Sequence, residues 1–285
     1  MKAFHTFWTA PNRARHAGQV VVPDYELLTM MLSALKWREH SGAIRMVTDC
    51  AGAAFLERAG LAGLWSEPID VSLDGLERAV DPVLFWAAGK LEALRRTPSP
   101  CVMLDADMIL WEDVSPLLTD CAVAAHREDL LPDVYPDPAA AFVTDGGYAL
   151  PPDWDLTLRA ANTAFLYLPC EALRLRYTDE AFRFMHALRA SRVGCVATMC
   201  FAEQRLLPMC ADACGVPLKT LLPDGELDKQ SFITHLWGHK RTLERSAERR
   251  VEYCLGCTLR IVTDHPEYEG VLAANEQTRV YLDSL

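Results

Sequence analysis

What this chain of 285 residues lacks narrows the field first. No apolar stretch approaches the roughly 18 to 20 residues a membrane-crossing helix needs, which excludes a helical membrane protein. The N-terminal Met1-Lys-Ala-Phe-His5 carries no apolar run of leader-peptide length, so the expectation is a soluble, cytoplasmic protein. A glycine-rich dinucleotide fingerprint and a Walker loop are both missing, which disfavours dehydrogenases and P-loop enzymes. Basic charge is short as well. With a formal charge of -11 the surface has little to offer a phosphate backbone, and a nucleic-acid partner is not expected. The main basic cluster, Lys240 with Arg241, Arg245, Arg249 and Arg250, is interleaved with Glu244 and Glu248. At spacings of four, Arg241, Arg245 and Arg249 read as one solvated helix face. No repeat or low-complexity tract occurs.

What is present is ample core: 51% of the residues are hydrophobic, enough for one large α/β domain. Ten cysteines are scattered through core-like segments, a distribution that suits reduced thiols. Cys210, Cys214, Cys254 and Cys257 could offer four thiolates to a structural zinc, but the spacing of the first pair is atypical and ordinary thiols are the favoured reading.

The first half alternates strand and helix patterns. Phe4–Trp8, Ile44–Val47 and Cys101–Leu104 read as strands, with a further possible strand over Trp65–Val71. Helical spacing covers Tyr25–His40, Ala53–Ala59 and Pro82–Arg96, the last with Asp81 as its N-cap. This rhythm predicts a mainly parallel sheet with helices on both faces, whose ligands collect at the carboxyl ends of the strands. From Arg127 to Asp155 the texture becomes rich in proline, glycine and acid, as in an insertion that carries specificity. Beyond it, Asn162–Leu168 and Ser231–His235 read as strands, and Glu171–Ala190 and Met199–Cys210 as helices.

Within this pattern Asp105-Ala-Asp107 interrupts an apolar strand. Two carboxylates two positions apart on a strand share a side and repel one another unless a cation lies between them, so a divalent metal is the natural reason for the pair. The second such triplet, Asp153-Trp-Asp155, follows Pro151-Pro152 and reads as an ordinary solvated turn. Thr6, Thr48 and Asp49 fall at strand ends, where they would contact a base or ribose or merely cap the chain. His5, His16, His126 and His265 lack metal-ligand spacing with the carboxylates and read as ordinary polar residues. Of the tryptophans, Trp154 and Trp237 have the loop positions that suit stacking on a sugar, while Trp8, Trp86 and Trp111 read as core.

Taken in order, the motifs resemble those of nucleotide-sugar glycosyltransferases with the GT-A fold, closest to the retaining branch that includes glycogenin and bacterial galactosyltransferases. Lys90 on a helix followed by Val102-Met-Leu-Asp-Ala-Asp-Met-Ile-Leu110 resembles the strand that carries the Asp-x-Asp motif. Asn162-Thr-Ala-Phe-Leu resembles the Asn-x-Gly strand, Ala202-Glu-Gln-Arg-Leu-Leu207 the Asp-Gln-Asp segment, and His235-Leu-Trp-Gly238-His-Lys240 the terminal His-x-x-Gly-x-x-Lys. Glu203 and Arg205 stand in place of the two acids, Ala164 in place of glycine, and Lys240 comes one residue early.

The resemblance implies an α/β GT-A domain over 1–285, with a nucleotide-binding half (1–126), an acceptor and metal-completing half (127–240) and a C-terminal helical tail (241–285). It implies a UDP-sugar donor and Mn²⁺ or Mg²⁺ held by Asp105, Asp107 and His235. Thr6, Thr48, Asp49, Lys90, Asn162, Gly238 and Lys240 would lie on the donor or substrate, and Glu203 and Gln204 would be catalytic. The acceptor would be a carbohydrate, lipid or protein, and the transfer would retain configuration. The alternatives are a family member that binds the nucleotide sugar without transferring it, and a phosphatase of the haloacid-dehalogenase type. The latter is disfavoured by Ile109 in place of a Thr or Val and by the βα segments upstream of the motif.

Overall fold

Cys101 and Met103 pack into one hydrophobic core while Val102 and Leu104 pack into another, so this short strand is buried on both faces. That pattern requires helices above and below a central sheet. The computed structural model describes residues 2–152, 154–224 and 232–285. Asp153 of the second triplet and Ser231 at the start of the last expected strand lie outside the described residues.

The elements run in chain order: β1 (Lys2–Phe7), α1 (Ala10–Arg15), α2 (Asp24–His40), β2 (Ile44–Thr48), α3 (Cys50–Arg58), α4 (Ala88–Arg96), β3 (Cys101–Leu104), β4 (Met108–Leu110), β5 (Ala122–Glu128), α5 (Pro138–Ala141), β6 (Phe142–Thr144), β7 (Ala160–Leu168), α6 (Glu171–Ala187), β8 (Leu188–Ser191), α7 (Cys195–Cys200), a π-helical turn (Phe201–Arg205), α8 (Leu206–Ala213), β9 (Leu218–Thr220), β10 (Ile233–His235), α9 (Lys240–Arg245), α10 (Ala247–Asp264), α11 (Glu269–Ala274) and α12 (Glu276–Leu282). Six strands form the main sheet in the order β2-β1-β3-β7-β5-β9. The β2-β1-β3 half is parallel and β9 runs parallel to β5, but β7 is antiparallel to both of its neighbours. The sheet is therefore the mainly parallel, mixed α/β sheet expected.

Several sequence expectations need correction. Trp65–Val71 is not a strand: Val47 and Asp70 form a single bridge, and Pro68 has no N–H with which to extend a ladder. The helix expected from Pro82 begins at Ala88; Asp81 instead caps a turn, accepting from the amides of Val83 and Leu84. The helix expected to reach Ala190 stops at Ala187, because Leu188–Ser191 pairs with β6, a strand supplied by the 127–155 insertion. The arginine face is broken too. Ser246 ends α9 and caps α10, accepting from the amide of Arg249, so Arg241 and Arg245 lie on a different helix from Arg249. The zinc reading fails: Cys210 belongs to one core and Cys254 and Cys257 to the other, and all ten cysteines are free thiols.

Helix α2 is buried from Asp24 to Trp37 except at Glu26. Its polar residues are therefore paired. Lys36, almost fully buried, bridges Glu39 and Asp264 at 2.6 Å each. Asp24 accepts from Arg250 at 2.8 Å and from the Tyr281 hydroxyl at 2.5 Å. These links fasten α10 and α12 onto α2. Among the described residues no helix is long and apolar enough to cross a membrane.

His5 is fully buried in β1. Trp65 donates its indole N–H to His5 Nδ1 at 3.2 Å, which leaves Nε2 to donate to Ser33 Oγ at 3.1 Å. Ser33 in turn donates to the Met108 carbonyl at 2.5 Å. Burial holds the imidazole neutral, its pKa lowered to about 3 with slight opposition from Asp107. The unfolded chain therefore binds the proton more readily. Stability linked to His5 is complete above about pH 6.5 and is lost as pH falls toward about 3, at about 1.4 kcal/mol per pH unit within that window. Urea denaturation at a series of pH values should show this slope. His5→Gln, which keeps both hydrogen-bonding roles without titrating, should flatten it; an unchanged slope would disprove the assignment.

Candidate functional site

Strand β3 ends at Leu104, and the next three residues turn before β4 begins. The carboxylates of Asp105 and Asp107 therefore share a turn rather than one face of a strand, a correction to the spacing argument. Three backbone bonds fix that turn: Asp105 N–H to the Ala164 carbonyl at 2.7 Å, Met108 N–H to the Asp105 carbonyl at 3.0 Å, and Leu236 N–H to the Asp107 carbonyl at 3.1 Å. Strand β10 pairs antiparallel with β4, with His235 opposite Met108. That register brings a residue 128 positions downstream in sequence beside Asp107. Ligand atoms of Asp105, Asp107 and His235 lie within 4.8 Å of one another, all half-buried, and this is the one such group of three among the described residues. Two carboxylates and an imidazole are a donor set that a divalent ion such as Mn²⁺ accepts.

Two lysines close on the carboxylates. Lys90 lies in the first turn of α4, and its Nζ is 2.8 Å from Asp105 and 2.5 Å from Glu203. Gly89 allows that approach, since a Cβ there would stand 2.4 Å from the Cβ of Trp8. Lys240 opens α9, with Nζ 2.8 Å from Asp107 and 3.0 Å from Glu26. Burial works against both ammonium groups, but the flanking carboxylates more than offset it and hold both lysines above their ordinary range. For Asp107 the His235 hydrogen bond and Lys240 overcome burial and push the carboxyl well below the usual range. At Asp105 burial prevails over Lys90, reinforced by Asp107 and Glu203, and its pKa rises to about 6. Asp105, Asp107, Glu203 and Glu26 carry four formal negative charges against two on the lysines. The cluster is short of two positive charges, the charge of one divalent ion.

A cleft of about 330 Å³ opens onto Lys90, Asp105, Asp107 and Lys240. Thr6 lines it, and its buried hydroxyl has no partner among the described residues. Asn12 and Arg15 of α1 also line it. Thr48 and Asp49 do not line it. Thr48 is fully buried and donates to the Phe7 carbonyl at 2.5 Å, and Asp49 caps α3, accepting from Gly52 and from the backbone and hydroxyl of Thr9. Their hydrogen-bonding capacity is used within the fold, which corrects their assignment to the donor. Asn162 is likewise turned inward, accepting from the Ala164 amide at 3.0 Å and donating to Glu128 at 3.3 Å. Gly238 lines a neighbouring groove rather than this cleft.

The π-helical turn Phe201–Arg205 sends neighbouring side chains to different places. Such a turn shifts the hydrogen-bond register and recurs at functional sites. The Tyr177 hydroxyl donates to the Glu203 carbonyl. Glu203 itself is 1% exposed and accepts from Thr163 at 2.6 Å as well as pairing with Lys90, so it reaches the site through that lysine. Gln204 faces the neighbouring groove and accepts from the Tyr135 hydroxyl at 2.5 Å. Arg205 donates to the carbonyls of Leu156 and Leu158, which secures the end of the insertion. Sequence reasoning missed Glu26, Trp86, Tyr135 and Thr163. Trp154, favoured for stacking, is buried with Arg176 over its ring.

Removing the Lys90 charge strands a buried carboxylate. Lys90→Met should destabilise the protein by about 3 kcal/mol. The double variant Lys90→Met/Glu203→Gln should recover most of that loss in urea denaturation. Equal stability of Lys90→Met and the unaltered protein would show that the pair contributes nothing.

Residues 1–163, more than half of the chain, match a family described as a family of unknown function (DUF6734). No curated protein matches. Among solved structures, the apo form of the WbbM bifunctional glycosyltransferase is 12% identical, with a TM-score of 0.44; the match covers 78% of this chain but 38% of that one. Apo mouse xyloside xylosyltransferase 1 is 11% identical, over 78% and 85% of the two chains, with a TM-score of 0.38. Galactosyltransferase LgtC in complex with donor and acceptor sugar analogs is 14% identical, over 76% and 73%, with a TM-score of 0.37. At such scores none of these likenesses decides the chemistry.

Proposed function

Because this chain belongs to the DUF6734 family, whose description assigns no activity, we propose from the site itself that it is a metal-dependent glycosyltransferase of the GT-A type. It moves a sugar from a nucleotide-diphosphate donor, a UDP-sugar, to an acceptor hydroxyl, with retention. The observation that carries this reading is the charge of the cluster. Asp105 and Asp107 line a cleft with two lysines, His235 has a ligand atom within 4.8 Å of both carboxylates, and the arrangement is short of one divalent cation.

A departing nucleotide diphosphate gathers negative charge on its oxygens. A divalent ion held by Asp105, Asp107 and His235, Mn²⁺ or Mg²⁺, would neutralise that charge when bound. Lys90 and Lys240 are placed to follow the same charge, each able to turn from its carboxylate toward a phosphate oxygen. Thr6, whose hydroxyl has no partner among the described residues, offers it to the nucleotide. Glu203 acts as a positioning residue that holds Lys90 rather than as a nucleophile, since its carboxylate is enclosed. Ten free thiols suit a cytoplasmic location.

The test is release of UDP from a panel of UDP-sugars in the presence of Mn²⁺. Asp105→Asn and Asp107→Asn should each lower release by about a hundredfold or more, since even groups that only orient metal ligands cost up to that much, and EDTA should abolish it. Release that survives both substitutions and EDTA would sink the reading. UDP binding without turnover on any donor would leave a binding protein in its place.

A further inference from the structure

Beside the donor cleft lies a larger groove of about 910 Å³, within the range of cavities that enclose most of a small ligand, about 300 to 1,000 Å³. Its walls come from the end of β5, the loop leading to Tyr135, α7 with its π turn, and the segment around Trp237. Trp86 lines both the groove and the cleft that holds Asp105 and Asp107. A molecule lying in the groove would thus reach past one indole to the carboxylate pair.

The groove's chemistry narrows the occupant. Arg127, Arg159 and Arg241 are matched in number by Glu128, Asp129 and Asp224. Arg159 is held between Asp129 at 3.1 Å and Asp224 at 2.6 Å, and Arg127 donates to the Leu218 carbonyl at 2.8 Å. The guanidinium groups of Arg127 and Arg159 are thus engaged within the protein, which leaves Arg241 at the rim as the groove's one arginine turned to solvent among the described residues. Trp86, Tyr135 and Trp237 supply aromatic surface, and Trp237, at 67%, is the most exposed large hydrophobic side chain among the described residues. Tyr135 fixes Gln204 by donating to its amide oxygen, which leaves the amide N–H groups to donate. Glu128 accepts from Asn162 through one oxygen and keeps the other. Aromatic faces beside a planar donor and a planar acceptor suit a pyranose ring, which has C–H patches to stack and paired hydroxyls to hydrogen-bond.

We infer that this groove is a saccharide-binding site and that the acceptor is a neutral glycan. The reaction at that acceptor rests on the transfer reading above; the binding does not. In the transfer, the acceptor hydroxyl oxygen forms the new bond to the anomeric carbon of the nucleotide sugar. The bond from that carbon to the diphosphate oxygen breaks with its electron pair, and the hydroxyl proton passes to the departing diphosphate.

The test exposes the full chain to an array of neutral glycans without any nucleotide sugar. Binding to a subset of these glycans is expected. Trp237→Ala should weaken it about tenfold, the size of one aromatic contact, and Val196→Arg, an exposed substitution at the groove's edge, should also weaken it. Leu259→Ala, an exposed change on α10, should leave it intact. With the acceptor so found, Trp237→Ala should raise KM about tenfold and change kcat little. No glycan bound, binding indifferent to Trp237 and Val196, or binding confined to anionic phospholipid vesicles would each overturn the inference. UDP release to water without glycan binding would defeat this inference alone; glycan binding with no response to UDP-sugars would defeat the transfer reading alone.

Discussion

The site depends on compensation of buried negative charge. Four carboxylates are drawn into one region by the ends of α2, β3, the π turn and β4, and their mutual repulsion in a medium of low polarity would drive them apart. Lys90 and Lys240 prevent this. Each ammonium spans two carboxylates, Lys90 between Asp105 and Glu203 and Lys240 between Asp107 and Glu26. The lysines offset only half the formal charge, and the remaining deficit is what the proposed divalent ion at the Asp105–Asp107 turn would meet. Had both carboxylates been fully neutralised within the protein, a metal would have had little to gain there.

Backbone and core must hold that turn still for the charges to matter. Its register comes from three sides: β7 through Ala164, β10 through Leu236, and α2 through Ser33, which carries the hydrogen-bond chain from Trp65 and His5. The α2 side is the most heavily buried. A helix enclosed on nearly all sides cannot afford unpaired polar groups, and the ties of Asp24 to Arg250 and Tyr281, and of Lys36 to Asp264, satisfy this with residues from the C-terminal helices. The C-terminal helical tail therefore contributes to the site from a distance, by enclosing the helix that carries Ser33 and Glu26.

Much of this was legible in the sequence, for reasons that differ by element. β3 was read to its exact ends because four consecutive apolar residues between Pro100 and Asp105 admit few alternatives. The convergence of Asp105, Asp107 and His235 was legible through the order of motifs, although not through the strand geometry first used to explain it. Thr48 and Asp49 were misplaced because a strand-end cap and a ligand contact look alike in one dimension; only the partners Phe7 and Thr9 tell them apart. Trp86 was hidden inside a pattern that read as helix, and Glu26 inside a helix whose polar residues gave no hint of their partners. The π turn has no signature in sequence, since its effect is one of register rather than composition.

That register change explains a departure in the motif. With Glu203 engaged by Lys90 and Thr163, and Gln204 by Tyr135, the next side chain emerges toward the end of the insertion, where Arg205 meets the Leu156 and Leu158 carbonyls. A carboxylate at this position would accept hydrogen bonds but not donate them, and would leave those carbonyls facing like partial charge. Arginine at 205 is thus what this insertion requires: it joins the Leu156–Leu158 segment at the insertion's end to the turn that carries Gln204. The same five residues touch both the cleft, through Lys90, and the groove, through Tyr135.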